Sequence, residues 1–140
     1  MGWPSGLLLD ASTGTPIDLN YSGGSPKAFI SNTILAGNSS QLGYTASATA
    51  ATGWTTTDLT SYISRVGAGN NLLASTNDAG LSAPFKYDAA VDFNANVGSY
   101  AASGGVFTSS KLINAFFTPT TFRGAAGAGD TWWKTWTSFK

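Results

Sequence analysis

The chain has 140 residues, the length of one domain with one core, and it contains no cysteine and no histidine. Seven aspartates balance seven lysines and arginines, so the formal charge is zero, and only 10% of the residues are charged. Such a surface attracts phosphate backbones and anionic lipid weakly at long range, and we therefore expect no nucleic-acid partner and no membrane insertion.

The first part of the chain, 1–42, has the pattern of short strands bounded by turn residues. Leu7–Leu9 form one apolar run. Two further apolar runs, 28–30 and 33–35, lie between Pro26 and Gly37. This predicts two rungs of about 20 residues, as in a parallel β-helix, where each coil adds its strands to the previous coil. A sandwich of short antiparallel strands would produce the same local signals and is the alternative.

The middle part, 43–110, predicts an irregular insertion with one short helix. Its first residues, 43–57, are rich in Thr and Ala and indicate a loop or an edge strand. Apolar residues then recur at helical spacing and stop at glycines, which predicts a helix over about 58–66 with Asp58 as its N-cap. A return strand is expected at 70–74, and no further helix after it.

The last part, 111–140, is rich in aromatic residues and glycine turns and holds few charges. We interpret it as a cap that covers one end of the β structure within a single domain. The aromatic residues expected to pack in this cap are Phe116, Phe117, Phe122, Trp132, Trp133, Trp136 and Phe139.

Two strings in this last part carry a family resemblance. Residues 116–125 read FFTPTTFRGA, Gly127 follows, and residues 130–137 read DTWWKTWT. This resembles the C-terminal region of bacterial secreted surface proteins with a right-handed parallel β-helix, in which an aromatic-Arg-Gly-Ala-Phe-Gly run leads into an acidic residue and two tryptophans. Ala126 departs from that pattern, since the family usually has Phe there.

The resemblance extends over most of residues 28–137. Residues 31–37 resemble the last regular rung of that family, and 54–72 resemble its inserted helix and return strand; 81–85 and 109–112 also fit. It implies an extracellular or cell-surface protein whose β-helix is closed by this segment. It implies no catalytic residue, because the same scaffold serves lyases, adhesins and inert stalks.

The residue types present argue against catalysis. Without His or Cys, no Ser-His or Cys-His pair can be built from this chain. Asp88 and Asp92 are close in sequence, but their neighbours predict a turn in which the carboxylates bond backbone NH groups. The other acids are too scattered for a metal site, so we expect no enzyme activity, no cofactor and no metal.

Three tryptophans and one arginine are the candidate site residues of the last part. Trp132, Trp133 and Trp136 could stack on sugar rings or form an interface, although burial in the cap is the favoured reading for at least one of them. Arg123 is expected to bond backbone carbonyls or stack on an aromatic ring, which is a structural role. Arg65 should bond carbonyls at the end of the predicted helix.

The opposite end of the predicted β-helix has little to cover it. An open rung exposes backbone NH and CO groups that recruit another strand, so Trp3, Leu7, Leu8 and Leu9 are candidates for self-association. Either further coils precede residue 1 in a larger protein, or this face docks on another copy in a filament. The sequence thus predicts a non-catalytic extracellular structural component, with a glycan-binding or adhesin module as the alternative.

Overall fold

The computed structural model describes residues 5–9, 30–44, 55–86, 88 and 91–135. The chain folds as two compact units, 1–75 and 76–140. The described residues form short strands and one α-helix, which agrees with the expected all-β class. Their sheets are three separate pairs of strands, and the finer division of the chain at 42 and 110 stays a prediction.

In the described residues of the first unit, four short strands pair in parallel. The strands are β1 (Ser5–Leu9), β2 (Ile34–Ala36), β3 (Ser40–Tyr44) and β4 (Asn71–Leu73). β1 pairs with β3 and β2 pairs with β4. Ser5 lies opposite Ser40 and Ile34 lies opposite Asn71, so paired residues are 35 and 37 positions apart in the chain.

These offsets are longer than the rungs of about 20 residues that the turn spacing predicted. The difference arises because β1 skips β2 and pairs with β3, a strand that the sequence pattern did not predict. β3 has the sequence SQLGY, in which Gly43 interrupts the apolar pattern. Gly43 lies opposite Leu8, and a Cβ atom on it would come within 2.8 Å of the Ser5 hydroxyl oxygen. Close approach of the two strands therefore favours glycine there.

The α-helix, α1, spans Thr56–Ile63 and begins two residues earlier than predicted. Asp58 is not the N-cap: Thr55 is, and its hydroxyl accepts a hydrogen bond from the Asp58 NH at 3.2 Å. The Asp58 carboxylate in turn accepts from the Thr55 NH at 3.0 Å, which completes a capping box. The prediction failed because a run of threonines offers several equivalent capping oxygens, and the chain direction at Thr55 selects one.

The helix also ends earlier than predicted, at Ile63. Val66 was expected on its apolar face but is fully exposed. The chain turns after Ser64, and Gly67 and Gly69 follow with φ of 80° and 66°, a backbone conformation that glycine adopts without strain. The glycines thus follow the helix as predicted, although the helix ends about one turn earlier than predicted.

The helix supplies the core of the first unit. Leu59, Tyr62 and Ile63 are each at most 2% exposed, and the partly buried Leu7, Ile30 and Leu42 pack against them. Among the described residues of this unit, these six side chains form the apolar cluster around α1.

A single amide links three segments of the first unit. The Nδ2 group of Asn70 donates to the carbonyl oxygens of Ile30 at 2.8 Å and Ile63 at 3.0 Å. Its Oδ1 atom accepts from the Thr33 NH at 3.0 Å. Asn70 therefore ties the end of α1 to the start of the β2–β4 pair.

The second unit has an antiparallel pair and two 3-10 helices. Its elements are β5 (Leu81–Ala83), β6 (Asp92–Ala95), and the 3-10 helices Thr76–Ala79 and Trp132–Thr135. β5 pairs with β6, and Asn94 of β6 forms a further parallel bridge with Ala126. This bridge brings the C-terminal segment alongside β6.

Candidate functional site

The two adjacent tryptophans of the second unit have opposite environments. Trp133 is 1% exposed and packs with Val91 and Ala126, while its ring meets Phe93 edge-on at 5.4 Å. Trp132 is 46% exposed. The prediction that at least one tryptophan is buried is confirmed, on a 3-10 helix that turns successive side chains by about 120°.

The exposed Trp132 ring is held in a defined position. Its indole Nε1 donates to the Ala125 carbonyl oxygen at 3.2 Å, and its ring stands edge-on to Trp133 at 5.9 Å. About half of Trp132 is thus exposed to solvent, while its ring is anchored by the indole hydrogen bond. Trp136, the third predicted member of the set, lies outside the described residues.

Polar groups position the segment that carries these tryptophans. The Asp130 carboxylate accepts from the Gly127 NH at 2.8 Å, and the Asp130 carbonyl accepts from the Asn94 amide at 3.3 Å. Asn94 is itself held by Asp92, whose Oδ1 atom accepts from the Asn94 NH at 2.9 Å. Asp92 therefore bonds a backbone NH, as the sequence predicted, but the predicted turn is wrong for this residue, because Asp92 begins strand β6.

Residue 126, where the sequence departs from the pattern of the resemblance, lies in a tightly packed position. Ala126 is completely buried between Val91 and Trp133. A Cβ atom on the neighbouring Gly127 would come within 2.8 Å of the Phe122 ring. The space around Ala126 is filled by these large neighbours, so a Phe at this position would require them to move.

Arg123 has the structural role predicted for it. Its Nε atom donates to the carbonyl oxygens of Tyr100 at 3.1 Å and Ser103 at 2.8 Å. Gly104 lies close by with φ of 82°, and a Cβ atom there would meet the guanidinium within 2.9 Å. Arg65 likewise donates to the Tyr62 carbonyl at 2.6 Å at the end of α1, as predicted, and lies 4.8 Å above the Tyr62 ring.

The candidates for self-association lie on or next to β1. Leu7 is partly buried against the core of the first unit, whereas Leu8 is 53% exposed. Leu9 belongs to β1 and lies opposite Tyr44, and Trp3 lies outside the described residues. The strand thus alternates between a core face and a solvent face, as a half-buried strand does.

An exposed apolar loop was not predicted. We call residues 112–117 the apolar loop; in it Phe116 is 87%, Ile113 66% and Phe117 38% exposed. The expectation that Phe116 and Phe117 pack with the tryptophans of a cap is wrong, because their rings contact each other edge-on at 5.1 Å at the surface. Ser109 and Asn114, which are turn-forming residues, were the signal that this run is a loop.

Within the described ranges no three His, Cys, Asp or Glu side chains lie close enough to share a metal ion. In the same ranges no helix has both the length and the apolar character needed to cross a bilayer. Asp10 and Asp18 lie outside the described residues.

Comparison with protein-family models, with curated proteins and with solved structures found no match to this chain.

Proposed function

We propose that this chain is a non-catalytic structural component, located at the cell surface or outside the cell, that associates with copies of itself or with a larger assembly. The observation that carries the proposal is the parallel pairing of β1 with β3 and of β2 with β4. Parallel pairs of short strands are typical of stacked coils, and a stack can be extended at its ends.

The strand order supports the architecture inferred from the family resemblance. β2 and β3 follow each other after a short turn at 37–39, and each pairs with a strand 35 or 37 residues away. In a coiled stack, consecutive strands of one coil pair in this way with the strands of its neighbours. We therefore infer a right-handed parallel β-helix of few coils for the first unit, since parallel crossovers are almost always right-handed.

The outer edge of β1 is the proposed point of association. In the described part of the chain β1 pairs with β3 only, so the strand has one edge toward solvent or a further strand. Leu8 adds an exposed apolar side chain at this edge. An edge of this kind accepts a strand from another molecule through backbone hydrogen bonds.

Electron microscopy and light scattering of the purified chain test the proposal. We expect oligomers or filaments, and we expect Leu8→Lys to reduce them, because a lysine on an edge strand opposes pairing. Val66→Lys is the matched control: it adds the same charge at a fully exposed apolar residue away from the strands. A wild-type chain that stays monomeric, or equal loss of assembly in both variants, would refute the proposal.

A glycan-binding or adhesin module is the second candidate, and the half-exposed Trp132 supports it. Its ring is fixed by the bond from Nε1 to the Ala125 carbonyl, and flat, fixed aromatic faces stack on sugar rings. Glycan-array binding by a monomeric chain, lost in Trp132→Ala but kept in Phe85→Ala, would favour this function. Phe85 is a suitable control because it is an exposed aromatic residue elsewhere in the second unit.

A further inference from the structure

Two strands of the first unit have an open edge at opposite ends of the proposed coil order. In that order β2 and β3 belong to one coil; β1 precedes them and pairs with β3, and β4 follows them and pairs with β2. Because a coiled chain advances in one direction, the strands before and after the middle coil lie on its two sides. Within the described residues neither β1 nor β4 has a second partner strand.

The open edge of β4 presents the backbone of Leu72. The Asn71 NH donates to the Thr33 carbonyl at 2.9 Å, and the Leu73 carbonyl accepts from the Gly37 NH at 3.2 Å. Both groups of β4 face β2, and successive residues of a strand direct their NH and CO groups to alternate sides. The NH and CO groups of Leu72 therefore point to the edge away from β2, where a further strand can bond them.

Each of these two end strands also carries an exposed leucine. Leu8 of β1 is 53% exposed and Leu72 of β4 is 36% exposed, whereas the neighbouring Leu7 and Leu73 are turned toward the interior. Leu8 lies opposite Gly43, which has no side chain to cover it. Both strands thus keep an outward leucine that the described part of their own chain leaves partly uncovered.

We propose that the open edge of β1 pairs in parallel with the open edge of β4 in a second copy of this chain, with Leu8 beside Leu72. In this register both leucines lie on the outer face; a shift by one residue would set Leu8 beside the buried Leu73, on the other face. Leu35 lies opposite Leu72 across β2 and β4, and Leu8 of the second copy extends this row. The proposal rests on the self-association proposed above and names the strand that receives β1.

The two open edges explain why association continues beyond a dimer. A contact between two β1 strands related by a two-fold axis is closed after two copies and leaves the β4 edge unpaired. A contact of β1 with β4 uses two different edges, so each assembled pair keeps one free β1 and one free β4 and can grow into a filament. The zero net charge of the chain adds no general repulsion between copies.

Cysteine crosslinking tests this contact directly, because the chain contains no cysteine of its own. The variants are Leu8→Cys, Leu72→Cys and, as the control, Val66→Cys, at a residue that is fully exposed in the same unit but outside the strands. Neighbouring strands lie about 4.8 Å apart, a separation that a disulfide spans. The variants are oxidised alone and in equal mixtures, and the products are separated by electrophoresis without reductant.

We expect the mixture of Leu8→Cys with Leu72→Cys to give several-fold more disulfide-linked dimer than either variant mixed with Val66→Cys. Dimers formed mainly by Leu8→Cys alone would overturn the proposal, because they show β1 paired with β1. A mixture that links no better than the control would overturn it as well. In both cases the wild type still assembles and the proposed function stands, whereas a monomeric wild type would refute both.

A charge placed on β4 gives a second measurement. We expect Leu72→Lys to weaken self-association about tenfold or more in sedimentation velocity, as Leu8→Lys does, because either lysine opposes pairing at the same contact. Val66→Lys is again the control, and circular dichroism checks that the variants keep the fold. If Leu8→Lys weakens assembly but Leu72→Lys assembles at wild-type strength, β4 is not the partner strand, although the proposed function stands.

Discussion

At the scale of single residues, the adjacent Trp132 and Trp133 show that the surroundings of a side chain decide whether it is buried. The two side chains are identical and neighbouring, yet one is 46% and the other 1% exposed. The 3-10 helix separates them because successive residues point in different directions around its axis. The sequence predicted that at least one tryptophan is buried, but it did not say which one. The packing of Trp133 with Val91 and Ala126 decides this in the fold.

This difference in burial predicts that substitution by alanine lowers the free energy of unfolding by different amounts at the two positions. Trp133→Ala should lower the free energy of unfolding by about 3–5 kcal/mol, because it leaves a large cavity in a small core. Trp132→Ala should cost only about 1 kcal/mol, since it removes one hydrogen bond and a half-exposed ring. Urea unfolding followed by circular dichroism measures both. Equal costs would contradict the burial of Trp133.

At the scale of elements, the first unit depends on how α1 meets the paired strands. The helix packs its apolar residues on side chains from β1 and β3. Asn70 donates to the carbonyl at the helix end and to the Ile30 carbonyl, and it accepts from the Thr33 NH directly before β2. Short strands of three residues have few ladder hydrogen bonds of their own. The hydrogen bonds of the Asn70 side chain are therefore important for holding these strands to the helix.

Substitution of Asn70 by Asp tests this link. The carboxylate can still accept from the Thr33 NH, but it cannot donate to the carbonyls of Ile30 and Ile63. We expect a loss of about 2–3 kcal/mol in the free energy of unfolding, because the part-buried Ile63 carbonyl loses this donor and a carboxylate oxygen then faces two carbonyl oxygens. The Ile30 carbonyl keeps its bond from Arg65 at 3.1 Å. Asn96→Asp is the control. Its Oδ1 atom only accepts, from the Ser82 hydroxyl at 2.9 Å, and a carboxylate keeps that bond.

A change below about 0.5 kcal/mol is expected for the Asn96 variant, as for most surface substitutions. If Asn70→Asp were equally mild, the amide would not link the helix to the strands as described. Hydrogen exchange at the β2 and β4 amides would then remain slow in the variant. Fast exchange limited to those amides would instead locate the loss where the structure places the bonds.

At the scale of the whole molecule, the net charge of zero bears on the proposed self-association. Copies that meet through opposite charges should separate more readily as salt is added, since the Debye length falls from about 10 Å at 0.1 M to about 3 Å at 1 M. A purely apolar contact would be unchanged or strengthened under the same conditions. The direction of the salt effect therefore distinguishes the two kinds of contact.

We predict that self-association is unchanged or stronger at high salt, because the net charge of the chain is zero and the exposed Leu8 on β1 is apolar. Sedimentation velocity at constant protein concentration measures the effect. An association several-fold weaker at about 1 M than at about 0.1 M salt would contradict this prediction.

The sequence by itself determined the local features of this protein. Turn residues and short apolar runs predicted β1 and β4, and helical spacing with terminal glycines predicted α1. The position of Arg123 between Phe122 and Gly124 predicted a structural role, and of the two contacts expected the structure shows the carbonyl bonds. These features depend on neighbours within a few positions, where backbone preference and hydrogen bonding act directly. Assembly, location and the absence of catalysis were predicted from the same source and stay predictions.

Only the tertiary structure decided which distant segments meet. Pairing of β1 with β3 across 35 residues, burial of Trp133 but not of Phe116, and the bonds of Asn70 all join segments far apart in the chain. No local pattern encodes such choices, because they depend on which surfaces remain unfilled once every element has packed. An aromatic residue has the same preference for burial everywhere in the sequence, and the space available in the fold decides whether that preference is met.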